Sequence, residues 1–291
     1  MPASTTPLPP TALKPTAQNQ LVGRLAQLPW WLLFILLMGV VLAYKFATDE
    51  LYSTILGKLQ AGIVTTIFVS LVAYASAIAI GLVAGLGRVS KNVVIFNIAT
   101  LYVQIIRGVP ILVQIFYASF VLTPAFFGLM QAIGAQLIPV LGPGNFLTRM
   151  STQDISLLTR AVIALSIAYG GFEAETFRAG IESISRGQME AARSLGMSYF
   201  QAMRYVILPQ AIRRILPPLG NDFISIVKDS SLVSVLGVRD VTQEARLYVS
   251  ASFRYPETYN SLAFTYLSLT ILLSLGLKWL ENRWGEHGRT G

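Results

Sequence analysis

Six stretches of this 291-residue chain are long and apolar enough to cross a bilayer: roughly residues 29–47, 60–86, 95–122, 157–178, 212–236 and 261–281. A span needs about 20 mostly apolar residues to cross a hydrocarbon layer about 30 Å thick. Backbone N–H and C=O groups find no water there, so apolar runs of this length must be helices. The expected fold class is an all-α polytopic membrane protein with about six transmembrane helices. Composition agrees, with 54% of residues hydrophobic and only 12% charged, against about a quarter charged in soluble domains. The fifth stretch is the least apolar. The second carries Ala73, Ala77, Gly81 and Gly85 at four-residue spacing, a stripe that lets a neighbouring helix approach closely.

A seventh apolar stretch, 125–142, is interrupted by Gln131, Gln136 and Pro139. If it crossed, everything after it would change sides. Charge distribution decides the parity. With six spans, thirteen of the 22 Lys and Arg lie on the side of the N-terminus and seven on the other, while Arg107 and Lys228 fall inside spans. Cytoplasmic loops carry the excess of Lys and Arg. Both termini and residues 178–211 are therefore expected in the cytoplasm, and 125–142 reads as an interfacial or re-entrant segment on the outer side. The same distribution accounts for the net charge of +8. There is no dense basic run or RNA-binding motif, and no nucleic acid is expected as a partner.

The residue inventory narrows the chemistry further. There are no cysteines, and the one histidine, His287, lies in the C-terminal tail. That excludes disulfides, thiolate metal sites and a Cys nucleophile, and leaves no Ser-His-Asp triad or multi-histidine metal site. Gly57-Lys58 is followed by Leu59 and lacks the upstream glycine of a phosphate-binding loop, so this chain does not cradle ATP itself. No catalytic residue, metal or cofactor is expected in this chain.

Residues 187–209 form a charged, helix-prone segment between apolar spans. A helix is predicted from Arg178 to Leu195, supported by Glu182 with Arg186 (i,i+4) and Glu190 with Arg193 (i,i+3), each pair contributing roughly 0.2–0.5 kcal/mol. Gly196 sits where a left-handed residue ends a helix. Ser198 and Gln201 have capping-box spacing, so a second helix starts at Tyr199, and Pro209 stops or kinks it. Helix, glycine turn and helix would also suit an amphipathic element lying on the membrane surface.

Glu190-Ala191-Ala192, Gly196 and Ile207-Leu208-Pro209 resemble the EAA signature of ABC importer permeases. Other blocks extend the likeness from about residue 60 to about 250. Arg107-Gly108-Val109-Pro110-Ile111-Leu112-Val113-Gln114, Ala174-Glu175-Thr176-Phe177-Arg178-Ala179-Gly180-Ile181, Leu216-Pro217-Pro218-Leu219-Gly220-Asn221 and Lys228-Asp229-Ser230-Ser231-Leu232 are similar to blocks of the polar amino-acid class (histidine, glutamine, arginine and opine permeases). The resemblance implies the type I importer permease fold in the bacterial inner membrane. It makes 187–209 the element that docks on an ATPase subunit. It also implies partners: two ATPase subunits that bind ATP-Mg, a second permease copy or paralogue, an outer amino-acid-binding protein, and membrane lipids.

On this reading, residues 1–28 are a disordered leader and 29–58 an extra span with an outer loop. The permease domain is 59–284, with a coupling segment at 183–209, and 285–291 are a tail. The leader, the extra span and the outer segment 123–156 exceed the family core. An ion-gradient-driven amino-acid carrier is the alternative. A membrane enzyme lacks a credible nucleophile and base.

Ionisable groups inside spans are costly and either pair or line a water-filled path. Candidate pathway residues are Arg107, Glu173, Glu175, Asn221, Ser225, Lys228 and Asp229. At 100° per residue, Asn221, Asp222, Ser225, Lys228 and Asp229 share one broad helix face, which is a pathway lining or a polar seam. Glu173 and Glu175 point about 200° apart on a regular helix and do not form an acid pair unless Gly170-Gly171 breaks it. Glu175 either pairs with Arg178 or meets substrate. Arg107 either donates to a backbone carbonyl freed by Pro110 or holds a substrate carboxylate. Glu173 has no local partner, and this family has an apolar residue there. It is expected to face the pathway and to influence which amino acid passes.

Overall fold

The computed structural model describes residues 30–285. The expected leader, 1–28, and all of the tail beyond Gly285, including His287, lie outside the described residues. The chain divides into two units, one ending at Thr48 and one starting at Asp49. In the first, α1 (Trp30–Thr48) is apolar around its whole circumference, with Phe34, Leu37 and Val40 all exposed. That is the character of a helix made for lipid.

The second unit opens at Asp49, whose carboxylate accepts the Leu51 N–H at 2.9 Å and caps α2 (Glu50–Arg88). The outer loop expected up to residue 58 is therefore the first turns of a 39-residue helix, about 58 Å long. Its stripe of Ala73, Ala77, Gly81 and Gly85 is buried and lies on α8 (Leu157–Glu182). A Cβ added at Gly81 would stand 2.4 Å from the Glu173 Cβ, and one at Gly85 2.8 Å from the Phe177 Cβ. The pairs advance in step, so α2 and α8 run parallel. The chain must return between them.

The return is α3 (Val93–Gly108), capped by Asn92, followed by α4 (Ile111–Tyr117), a π-helical turn at Ala118–Leu122, and α5 (Thr123–Gln136). The span expected at 95–122 is thus broken at Val109-Pro110. From Ile111 to Gln136 the helical path is itself long and apolar enough to cross a membrane. Its course is antiparallel to α8. Ile106 lies against Gly171, Ile115 shares a core with Ala161 and Leu165, and Arg160 donates to the Ser119 carbonyl at 3.3 Å. By residue 119 the chain is level with the first turn of α8, and α5 prolongs this climb.

The first part of the segment 125–142, up to Gln136, is therefore a continuation of the helical path from Ile111 and not a separate segment. The chain then folds back through α6 (Ile138–Leu141), α7 (Phe146–Arg149) and a 3₁₀ turn at Thr152–Asp154. Asn145 donates to the Gly134 carbonyl at 2.9 Å and Gln131 to that of Met150 at 2.6 Å, which close this hairpin.

Beyond α8 come α9 (Arg186–Ser194), α10 (Tyr199–Ala202), a π-helical turn at Met203–Ile207 and α11 (Leu208–Asp229). A 3₁₀ stretch (Ser230–Leu236), α12 (Val241–Ser252) and α13 (Tyr255–Gly285) follow. The single helix expected over 178–195 is split, because Ser183 caps α8 and Ser185 starts α9. Pro209, expected to stop or kink the second helix, is the second residue of α11 directly after the π-helical turn, so the helical path runs on through it. The change of helix type falls just before it.

The main core gathers Val69 of α2, Ile115 of α4, Leu165 of α8, Ile226 of α11 and Val233. A second cluster joins Ile55 and Leu59 of α2 to Val241 and Ala245 of α12. Between them, Asp240 is fully buried, accepts from the Gln243 N–H at 2.8 Å to cap α12, and receives the Tyr266 hydroxyl at 3.4 Å.

Two predictions follow from this packing. Gly81→Ala should lower thermal stability by about 1–3 kcal/mol through overpacking. Gly128→Ala, where a Cβ meets nothing within 4 Å, should leave it unchanged, and thermal unfolding of the detergent-solubilised chain compares the two. Burial pushes the Asp240 carboxyl up to about 6, so the fold favours its protonated form. Its contribution is present below the ordinary carboxylate range and is lost as pH rises through about 6. Asp240→Asn keeps the cap acceptor and should flatten the fall in melting temperature over that window.

Candidate functional site

The coupling segment is built by its own caps. At the end of α9 the Gly196 N–H reaches the Arg193 carbonyl at 3.0 Å and the Met197 N–H that of Ala192 at 3.2 Å, with Gly196 at φ +85°. This pair of bonds is the Schellman motif, which needs a left-handed residue at that position. The Ser198 N–H then donates to Gln201 Oε1 at 2.8 Å, while Ser198 Oγ accepts the Gln201 N–H at 3.2 Å. The expected helix, glycine turn and helix are all present.

The segment is anchored to the spans from below. Ile181 and Ile184 at the end of α8 form one cluster with Ile207 and Ala211, and Met189 of α9 lies against it. The Arg214 guanidinium donates to the Ser183 carbonyl at 2.6 Å. Gly180 permits this closeness, since a Cβ there would lie 2.0 Å from Ile215 Cγ2.

The signature residues separate by side. Ala192 and Ile207 are each 3% exposed, and Leu208 is half-buried, so these hold the chain's own fold. Glu190, Ala191, Gly196 and Pro209 are exposed. Glu182 is bound by Arg178, and among the described residues no ion pair joins Glu190 to Arg193. The helix-stabilising pairs expected with Arg186 and Arg193 are therefore replaced by the caps.

The break after α3 is held by a residue that the sequence showed only inside a motif. The Gln114 side-chain amide donates to the Ile106 and Val109 carbonyls, both at 2.7 Å. These are the acceptors left open where Pro110 interrupts the helix. Arg107, expected to serve that purpose, instead lies 3.9 Å from Glu175. Glu175 also binds Arg88 of α2 and Arg178 of its own helix, and Arg178 binds Glu182. Glu175 is thus a satisfied ion-pair partner that joins α2, α3 and α8.

Glu173 and Glu175 do diverge. Helix α8 runs unbroken through Gly170-Gly171, which admit Ile80, Tyr102 and Ile106 of neighbouring helices. Glu173 is 0% exposed, and neither carboxyl oxygen receives a hydrogen bond. The Tyr74 hydroxyl lies beside it but donates to the Leu219 carbonyl of α11. Glu173, expected to face the pathway, lies in this conformation inside the seam of α2, α8 and α11.

The broad polar face of α11 is also divided. Asn221 and Lys228 are exposed, whereas Asp222, Ser225 and Asp229 are half-buried. The Tyr169 hydroxyl donates to Asp229 at 2.8 Å, and Ser225 donates to the Asn221 carbonyl at 3.1 Å. Tyr74, Arg88 and Tyr169 escaped the sequence reading. Tyr74 stands next to the small-residue stripe, and Arg88 looked like a loop charge.

Comparison with known proteins accords with this geometry. Residues 77–286 match the family described as binding-protein-dependent transport system inner membrane component. The glutamine transport system permease protein GlnP of Escherichia coli (strain K12) is 35% identical over 218 residues, 75% of this chain and 89% of that protein. The probable amino-acid permease protein YxeN of Bacillus subtilis (strain 168) is 37% identical over 225 residues, 77% of this chain and 90% of its own. A crystal structure of an amino acid ABC transporter with histidines is similar at TM-score 0.65 and 36% identity, covering 82% of this chain and 98% of that one. A chain of the MetNI methionine ABC transporter shares the fold at TM-score 0.59 and 18% identity, over 78% and 95% of the two chains. These matches favour a permease over a gradient-driven carrier. With its helix–Gly196–helix element set beneath a bundle of apolar helices, this chain belongs to the binding-protein-dependent transport system inner membrane components and has the type I ABC importer permease fold.

Proposed function

We propose that this chain is the transmembrane permease subunit of an ATP-driven importer of polar amino acids in the bacterial inner membrane. Its coupling segment and both termini are cytoplasmic. ATP-Mg is bound by two separate ATPase subunits. A second copy or paralogue of this chain completes the channel, and a soluble binding protein delivers substrate from outside. The observation that carries the reading is the anchoring of α9. It is a rigid, capped helix with an exposed Ala191 on one side and a buried Ala192 on the other, joined to the ends of both α8 and α11. A force applied at α9 therefore reaches two spans at once. Closure of the ATPase pair drives the change of access only if the closed pair binds one permease state better than the other.

Two experiments test this. In proteoliposomes holding the permease, its ATPase and its binding protein, uptake should require internal ATP and survive an uncoupler. Ala191→Arg should cut that uptake at least about tenfold, equivalent to ~1.4 kcal/mol of docking free energy, with the melting temperature unchanged. Ala192→Arg should instead unfold the chain. Equal effects of the two would reject the docking face.

Glu173 is proposed to bear on selectivity when the α8–α11 seam opens. Glu173→Leu, at equal expression, should change the ratio of cationic to neutral amino-acid uptake. An unchanged ratio would remove Glu173 from the pathway.

A further inference from the structure

The C-terminal end of α2 and the coupling helices enclose a groove of about 1160 Å³. On α9, Arg186, Met189, Glu190 and Arg193 line it at positions i, i+3, i+4 and i+7, a single helix face. The turn between α2 and α3 brings Lys91 to the same groove, and Leu86, Phe200 and Met203 supply apolar walls. Three cations face one carboxylate. Lys91, Arg186 and Arg193 are all exposed, and the ion pairs of the described residues involve none of them. Phe200 is 71% exposed.

Beside this groove an apolar trough of about 630 Å³ lies between α2 and α3, lined by Ile80, Val83, Gly87 and Ile98 among others, with no charged residue. Gly87 keeps the two helices close, since a Cβ there would be 2.9 Å from the Ala99 Cβ. The cationic groove thus stands at the end of an apolar helix pair, with an uncharged trough alongside.

A soluble phosphate would match the cations but not the walls, and an acidic protein surface would leave the apolar trough unfilled. An amphiphile with an anionic head matches both. We infer that this groove seats an anionic phospholipid headgroup between the α2–α3 turn and the coupling helix, with an acyl chain along the α2–α3 trough. The bound lipid ties Lys91 of the membrane bundle to Arg186 and Arg193 of α9. The adjacent side of α9, with Gly187, Ala191 and Ser194, about 100° round the helix, stays free. The site does not depend on which substrate the chain carries or on how it is driven.

The test is lipid retention. The full chain is reconstituted in nanodiscs of phosphatidylethanolamine with a minority of phosphatidylglycerol, then extracted into detergent and examined by native mass spectrometry. Phosphatidylglycerol should be retained in preference to phosphatidylethanolamine. Lys91→Gln alone, and Lys91→Gln with Arg186→Gln and Arg193→Gln, should lose it in steps of roughly fivefold per cation removed. Arg204→Gln with Arg213→Gln, a change of charge at the same end but outside the groove, should retain it. The substituted side chains are exposed, so melting temperatures should match the parent chain. Equal retention of the two lipids overturns the inference, as does equal loss in the Arg204/Arg213 variant. Displacement of the lipid by inorganic phosphate alone would make this a phosphate site. A triple variant that keeps phosphatidylglycerol but no longer co-purifies with its ATPase would assign the cations to a protein contact, again against the inference.

Discussion

Backbone contact between α2 and α8 is the interaction from which the rest of the bundle takes its position. In lipid there is no hydrophobic gain from bringing two apolar helices together, so close packing must supply the attraction. Gly81 and Gly85 bring the α2 backbone onto Glu173 and Phe177 at distances no side chain would tolerate. Helix α8 repeats the device toward its other neighbours. Gly170 and Gly171 admit α3, and Gly180 admits Ile215 of α11. One helix with three glycines therefore receives three partners, and the ion pairs of Glu175 close the same junction at its charged end.

The remaining helices are irregular where α2 and α8 are regular. The α3–α4 junction breaks at Pro110, and Gln114 satisfies the two carbonyls released there. Helix α11 contains Pro217 and Pro218 and so lacks two ladder hydrogen bonds. A π-helical turn precedes it, a form frequent at functional sites. The coupling helix is fixed to the end of stiff α8 and to the start of this proline-bearing helix. On the function proposed above, a displacement delivered through α9 would be resisted at α8 and more easily absorbed along α11, which carries the polar residues Asn221, Asp222, Ser225 and Asp229.

Most of this architecture was legible in the sequence for a simple reason. Apolar length and small-residue spacing are local signals, and they located the long apolar helices at 60–86, 157–178 and 261–281 and the α2 stripe, whereas the expected fifth span, 212–236, is not among the helices apolar enough to cross a membrane. Capping rules did the same for Gly196 and Ser198, because their hydrogen bonds close within a few residues. Properties set by distant partners were not legible. Arg107 looked free to serve the Pro110 break until the fold placed Glu175 beside it, and Arg88 looked like a loop charge until it met the same carboxylate. Glu173 lacks a partner on its own helix, and its burial was not legible from that helix. What buries it is Gly81, ninety-two positions earlier in the chain. The stretch 125–142 was ambiguous by hydropathy alone, and its first part is seen to continue an existing helix only because the path from Ile111 to Gln136 is unbroken.

The signature around Glu190 illustrates why a motif is not a unit of function. Its residues share one short segment but answer to different constraints. Ala192 is small because its side chain is buried against the chain's own structure, and Ile207 is apolar because it belongs to the cluster under α9. Gly196 is glycine because the Schellman turn requires φ +85°. These three would be needed even if nothing docked. Ala191 has no such obligation: it is exposed on the helix surface, where Ala is a good helix former in its own right and, on the function proposed above, lets a partner approach closely. Glu190 faces the cationic groove with Arg186 and Arg193, and it offsets part of their mutual repulsion. On the function proposed above, docking would fall to the positions that folding leaves unconstrained.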